Sequence, residues 1–364
     1  MAIAPGSPNL EAHSPTAADC FSMRKLLCLI FIAALAAALT TYGLWTTKRP
    51  AGHYLSDLRS MVAVNQGTPG ERGNLLGIEP LLFATDYQNP QRLQRKLGAY
   101  LQQAREQHLL NEKTIVVLPE HIGTWLLLGG EKDELYQAAN QAQALNWLAA
   151  SNPVAFARAF VGAQGPGRLQ DSYLRMKAAG VAADYQQLFG GLAREFGVTL
   201  VAGSVVLPEP SVRNGVLVVG SGALYNSALV FGRDGLPIGQ PQRQARPGAE
   251  AQPLQVFPTP AGPLGLLLGN ASTELQNYRQ LDAQGVKLVA APVAFTGLAP
   301  WQGAGLAPAQ LAPLLGQQGT ASVSVFSHGQ FWEQRLGGIS VIRQGAQAFT
   351  APSAPVARLL NLWL

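Results

Sequence analysis

The longest apolar stretch of the chain comes early and has no polar rhythm. Residues 26–45, Leu-Leu-Cys-Leu-Ile-Phe-Ile-Ala-Ala-Leu-Ala-Ala-Ala-Leu-Thr-Thr-Tyr-Gly-Leu-Trp, carry no charge and match the ~20 residues a helix needs to cross a bilayer. Arg24 and Lys25 precede the run, Tyr42 and Trp45 stand at interfacial positions, and Lys48 and Arg49 follow it. Two readings fit: a retained membrane anchor over 23–47, or a cleaved signal peptide with Ala34-Leu35-Ala36 or Ala36-Ala37-Ala38 as its small-residue site. Continuation of the run to Trp45 favours the anchor. The anchor reading puts the membrane among the partners, through residues 26–45, and either reading puts the large domain outside the cytoplasm, in a periplasm or cell envelope. Orientation is poorly determined, because positive charge is nearly balanced on the two flanks. Residues 1–22, rich in Ala, Pro and Ser, are expected to be disordered. Met23-Arg-Lys-Leu-Leu reads as an alternative translation start.

Beyond the anchor the pattern changes. Residues 48–74, dotted with Pro and Gly, read as a linker. Residues 75–84 form a strand candidate, broken by Pro80. Asn89-Pro90 then opens a helix as cap and first position. Leu93, Leu97, Tyr100, Leu101 and Ala104 recur at helical spacing, opposite a face of Arg and Gln. Residues 114–121, Thr-Ile-Val-Val-Leu-Pro-Glu-His, read as a buried strand that Pro119 ends, with Glu120 at its mouth. Helices are expected over 133–149 and 171–196, the second stopped by Gly197. Strands follow at 198–207, 216–219 and 225–231, with Arg233-Asp234-Gly235 as a turn signal. After a Pro/Gln/Arg-rich loop at 237–253 come a strand at 263–268, a short helix at 274–284 and a strand at 287–291. Residues 297–320 show little pattern, and late strands sit at 321–326 and 339–342. Alternating and paired strands together predict one α/β domain with a layered sheet core over 75–355, and a carboxy-terminal tail at 356–364.

Composition narrows the chemistry. The net charge of +5 is scattered, with no run of four basic residues, so nucleic acid is not an expected partner. Cys20 and Cys28 are the only cysteines, and neither lies beyond the apolar run, so the domain has no thiol chemistry. The five histidines show no paired spacing, so no metal is expected, and no cofactor either. No G-x-G-x-x-G follows the first strand, and neither a Walker A sequence nor a G-x-S-x-G elbow is present.

The order of segments resembles the nitrilase, or carbon–nitrogen hydrolase, superfamily. The carrying pieces are Leu118-Pro119-Glu120, the Gly-Val-Thr-Leu-Val-Ala-Gly-Ser stretch at 197–204, Tyr225-Asn226-Ser227-Ala228, and Asp234-Gly235. Further on come Pro-Leu-Gly-Leu-Leu-Leu at 263–268, Arg279 and Leu281, the strand ending at Pro292, and Gly-Gly-Ile-Ser-Val-Ile at 337–342. The resemblance implies an α-β-β-α sandwich preceded by one transmembrane or signal helix. It also implies a Glu–Lys–Cys set, in which a thiol attacks an amide or nitrile carbon, Glu moves protons and Lys steadies the developing charge. Carried over residue by residue, Glu120 takes the base position, Arg243 the Lys position and Gly269 the Cys position. Asn270 and His121 are the expected ligand-binding neighbours. Ser272 is the nearest hydroxyl, and Glu250 stands where some branches carry a second acidic residue.

Glycine has no nucleophile. The expected function is therefore a membrane-anchored, non-catalytic relative that binds a ligand or a partner. The alternatives are an active hydrolase or acyltransferase with a non-standard site built on Glu120, and a structural envelope protein. A small amide, nitrile or acyl compound is the expected ligand class, and the resemblance makes a homodimer an option.

Overall fold

The computed structural model describes residues 17–49, 54–163, 167–246, 249–294 and 320–364. The chain divides into two units, 1–49 and 50–364. The described part of the first is one helix, α1 (Ala17–Thr47), whose stretch 24–47 is apolar and long enough to span a membrane or to act as a signal sequence. It begins before Met23, so part of the segment expected to be disordered is helical, and 1–16 lie outside the described residues. No Gly or Pro interrupts 17–23, which lets the apolar helix extend backwards.

The second unit is built on two six-stranded sheets. In the first, the spatial order is Ser60–Gln66, Ala357–Trp363, Asn74–Glu79, Ile115–Val117, Thr199–Val201 and Val230–Phe231. In the second it is Val256–Thr259, Gly262–Leu266, Leu288–Pro292, Ala321–Val325, Val341–Gln344 and Gln347–Thr350. The twofold alternation of strand side chains sorts the core into layers. Ile115 and Val117 point inward and join Leu75, Leu264, Leu266 and Val323 in the core between the sheets. Val116, between them in sequence, points outward with Leu76 and Leu200, onto helices α2 (Pro90–Glu106) and α7 (Ala178–Phe196). Leu267 and Val289 leave the second sheet on its other side and pack with Leu281 of α8 (Leu275–Ala283). The layers run α-β-β-α. Among the described residues between α2 and α7 are four shorter α-helices: α3 (Asp133–Tyr136), α4 (Gln141–Ser151), α5 (Pro153–Gly162) and α6 (Arg168–Met176).

Local signals explain most boundaries. Asn89 caps α2 by accepting the Arg92 N–H at 2.8 Å, with Pro90 as the first helical residue. The helix expected at 133–149 is two, α3 and α4. Asn140 interrupts it in extended backbone and caps α4 through the Gln143 N–H. The helix expected at 171–196 is also two, α6 and α7, joined at Lys177. The strand expected at 198–207 splits at Gly203, whose left-handed backbone (φ +68°) turns the chain into a separate sheet. That three-stranded sheet runs Gln242–Ala245, Leu224–Ala228, Val205–Pro208, so the loop expected at 237–253 holds a strand. The insert at 297–320 lies outside the described residues except for Thr320.

Two boundaries need correction. The expected tail at 356–364 is a strand, Ala357–Trp363, buried along its whole length and second from the edge of the first sheet. It runs parallel to Ser60–Gln66 and antiparallel to Asn74–Glu79. The expected linker at 48–74 therefore contains an edge strand, and the domain reaches beyond 75–355 at both ends. The polar residues that disguised the last strand are matched: Asn361 accepts from Asn74 Nδ2 at 2.5 Å and donates to Asn65 at 2.8 Å, and Arg358 bonds to Glu79. Buried polar groups with partners fit in a strand flanked on both sides.

Candidate functional site

Glu120 follows a strand whose last backbone contact is Leu118 N–H to the Val201 carbonyl at 3.0 Å. The chain then turns through His121, a left-handed residue (φ +60°). Ser204 holds this turn: its Oγ accepts the His121 N–H at 2.8 Å, and its carbonyl accepts the Gly123 N–H at 2.9 Å. Tyr185 Oη of α7 fixes the opposite loop by donating to the Gly203 carbonyl at 3.0 Å. The Glu120 side chain is thereby aimed inward and is 7% exposed.

Both carboxylate oxygens of Glu120 are occupied. Oε1 accepts from Asn226 Nδ2 at 2.6 Å, and Oε2 accepts the Ala294 N–H at 2.9 Å. Asn226 gives its other amide hydrogen to Gln244 Oε1 at 3.0 Å. His121 Nε2 stands 3.8 Å from Oε1. Burial pushes the Glu120 carboxyl above the usual carboxylate range, against the opposite pull of His121, the Asn226 amide and the Ala294 N–H.

Gly269 arrives from the second sheet, just past Gly262–Leu266, at the start of a 3-10 turn. It is left-handed (φ +46°). A β-carbon placed on it would lie 2.4 Å from Glu120 Oε1 and 3.0 Å from both Cδ and Oε2. The carboxylate thus fills the space where a side chain at 269 would begin.

Arg243 does not join this cluster. On its strand Arg243 lies opposite Ser227 and Gln244 opposite Asn226. Neighbouring residues face opposite sides, so Gln244 meets Asn226, while Arg243 turns away to stack over Tyr225 at 5.0 Å and donate to Gln252 Oε1 at 2.9 Å. Ser272 is fully buried and donates its hydroxyl to the Gly269 carbonyl at 2.7 Å, so it serves the turn. Asn270 and Glu250 are exposed and do not border the cavity described next.

A cavity of about 170 Å³ opens over Glu120 and His121. Its walls are mostly apolar. Trp125 stacks on Phe331 at 5.0 Å, and Trp332 meets Trp125 edge-on while its Nε1 donates to the Leu135 carbonyl. Helices α4 and α6 contribute Leu145, Tyr173 and Leu174. The polar groups on the wall include Arg246, Gln141 and Gln170. Sequence reading passed over Asn226, Gln244 and Arg246 as site residues. The first two stood beside residues already singled out, but only strand pairing reveals which face each takes. Among the described residues no group of three His, Cys, Asp or Glu is placed to hold a metal ion.

No protein family matches the chain by sequence, and no curated protein does. Solved structures similar to it include an amidase of the nitrilase superfamily from Nesterenkonia AN1, at 17% identity over 81% of this chain and 92% of that one, with a TM-score of 0.49. Another is Nit3 of Saccharomyces cerevisiae, a member of branch 10 of the nitrilase superfamily, at 12% identity over 80% and 89%, with a TM-score of 0.48.

Proposed function

We propose that this chain is a membrane-anchored member of the carbon–nitrogen hydrolase superfamily whose site binds a ligand without covalent catalysis. One observation carries the reading: the Glu120 carboxylate, bonded on both oxygens, occupies the space a nucleophile's β-carbon would need at Gly269. A site that had lost only its thiol would keep a hole there. The Arg243 position supports the same reading, since its charge is directed at Gln252 and Tyr225. What remains is a mostly apolar cavity with a few polar groups, the usual make-up of a small-molecule site. Its ligand is a compound with an apolar body and a hydrogen-bonding end, in the amide, nitrile or acyl class. The domain lies outside the cytoplasm in this reading, with α1 as its anchor.

The test uses the full chain in detergent. Amides, nitriles and acyl esters are offered to the wild type and to Glu120→Gln, and both turnover and thermal shift are recorded. The reading expects ligand-dependent shifts with no turnover. Turnover that Glu120→Gln abolishes would overturn it. That outcome belongs to the second reading, a hydrolase whose water is activated by Glu120. A specific feature favours it: burial raises the affinity of this cavity-lining carboxylate for protons, as a general base requires.

A further inference from the structure

Helix α5 (Pro153–Gly162, Pro-Val-Ala-Phe-Ala-Arg-Ala-Phe-Val-Gly) has one charged residue, Arg158, and none of its residues is buried. Its composition is as apolar as that of α1. Val154 is 61% exposed and Val161 79%, with Ala157 also exposed between them. At spacings of three and four residues these positions share one face. Leu169 on α6 adds a further exposed apolar side chain, at 54%. Scattered exposed leucines and valines are ordinary, but a helix with no buried residue and one exposed face of Val154, Ala157 and Val161 calls for a partner.

The inner side of α5 is well held, so the helix is a fixed projection. Phe156 packs on Tyr173 of α6 with ring centroids 5.1 Å apart, and Tyr173 in turn lines the cavity. Arg168 lies 3.9 Å over the Phe160 ring and donates Nε to the Phe160 carbonyl at 2.7 Å. The outer face of α5 therefore sits one helix away from the proposed binding cavity.

The chain itself indicates what covers that face. Residues 48–53 separate α1 from Tyr54, which is held beneath the Arg92 guanidinium at 5.5 Å. Six residues reach only ~20 Å at full extension. A domain carried on a bilayer-spanning α1 is thus confined close to lipid. The charge pattern agrees. Arg158 is exposed amid the apolar face, and an arginine can lay its stem along acyl chains while its head stays among phosphates. We infer that α5 docks in the plane of the bilayer surface, with Val154, Ala157 and Val161 among the upper acyl chains and Arg158 at headgroup level. This inference rests on the reading of α1 as a retained anchor.

The test is site-directed spin labelling of the full chain in phosphatidylcholine–phosphatidylglycerol bilayers, with Cys20 and Cys28 replaced by serine. Labels go on Val154→Cys and Val161→Cys, on Val216→Cys as an exposed control in the two-stranded hairpin of Ser211–Arg213 and Val216–Val218, and on Leu35→Cys within α1. The α5 labels are expected to collide with a water-soluble nickel complex at least about threefold less often than the Val216 label, and more often with oxygen. Labels at 154 and 161 as open to nickel as the Val216 label, with the Leu35 label in lipid, would refute the docking of α5 alone. A Leu35 label open to nickel would remove the anchor and this inference with it. Labels at 154 and 161 shielded from both reagents would mean that a second protein surface covers α5, which also overturns the inference.

Discussion

Adding a side chain at position 269 should destabilise the protein because Glu120 stands in the way. In Gly269→Ala the new β-carbon would be built 2.4 Å from Glu120 Oε1. A carboxylate at the end of a flexible side chain can usually swing aside. Here it is 7% exposed and tied to Asn226 and the Ala294 N–H, so moving it breaks buried hydrogen bonds. Leaving such groups unsatisfied costs about 1–3 kcal/mol. The left-handed backbone at 269 adds about 1–2 kcal/mol once a β-carbon is present. The expected loss is therefore about 2–5 kcal/mol. It can be read from the urea midpoint by tryptophan fluorescence of the full chain in detergent. Glu120→Ala removes the collision, so in that background Gly269→Ala should cost only the backbone share, about 1–2 kcal/mol. Double-mutant coupling isolates the contact between the two residues. A Gly269→Ala protein within about 0.5 kcal/mol of wild type, or one whose loss is unchanged by Glu120→Ala, would refute the packing described for this site.

Four further outcomes follow from the same packing. Gly269→Cys alone should show no amidase turnover, because its β-carbon meets the carboxylate before the thiol can be positioned. Because burial raises the Glu120 carboxyl, the folded state holds its proton more tightly than the unfolded chain. Wild-type stability should therefore fall, relative to Glu120→Gln, as pH rises from the unfolded value through the folded one. Denaturation midpoints of the two proteins across pH would show that difference or its absence. Lys96 and Asp86 form a pair at 2.7 Å with both side chains fully buried. Lys96→Met should cost about 3–5 kcal/mol in a urea titration, and Lys96→Met with Asp86→Leu much less, because only the single change strands a charge. His328 is depressed to about 4, first by burial and then by Arg358. Its neutral form is the one that folds, so its contribution is complete above its unfolded value and is lost as pH falls toward 4, by up to ~3 kcal/mol. Glu79, 3.5 Å away and itself raised by burial, works in the opposite sense, so the comparison is with His328→Gln, which should lack this acid loss.

The sequence determined the features that local physics controls. An uncharged run at 26–45 makes a helix wherever it sits, and α1 is that helix. Cap and period place α2, and a β-branched run closed by proline puts Glu120 at the end of a buried strand. The tertiary structure decided what depends on pairing. Counting along the chain points to Arg243, but face alternates with every residue, and pairing with Leu224–Ala228 gives the inward place to Gln244. The segment 357–363 has polar residues that look like a tail until Asn74, Asn65 and Glu79 come across from other strands to match them. The site shows the same division. Sequence alone reveals that residue 269 lacks a nucleophile. The packing of one sheet's strand end against the other's is what puts the Glu120 carboxylate where a side chain at 269 would begin.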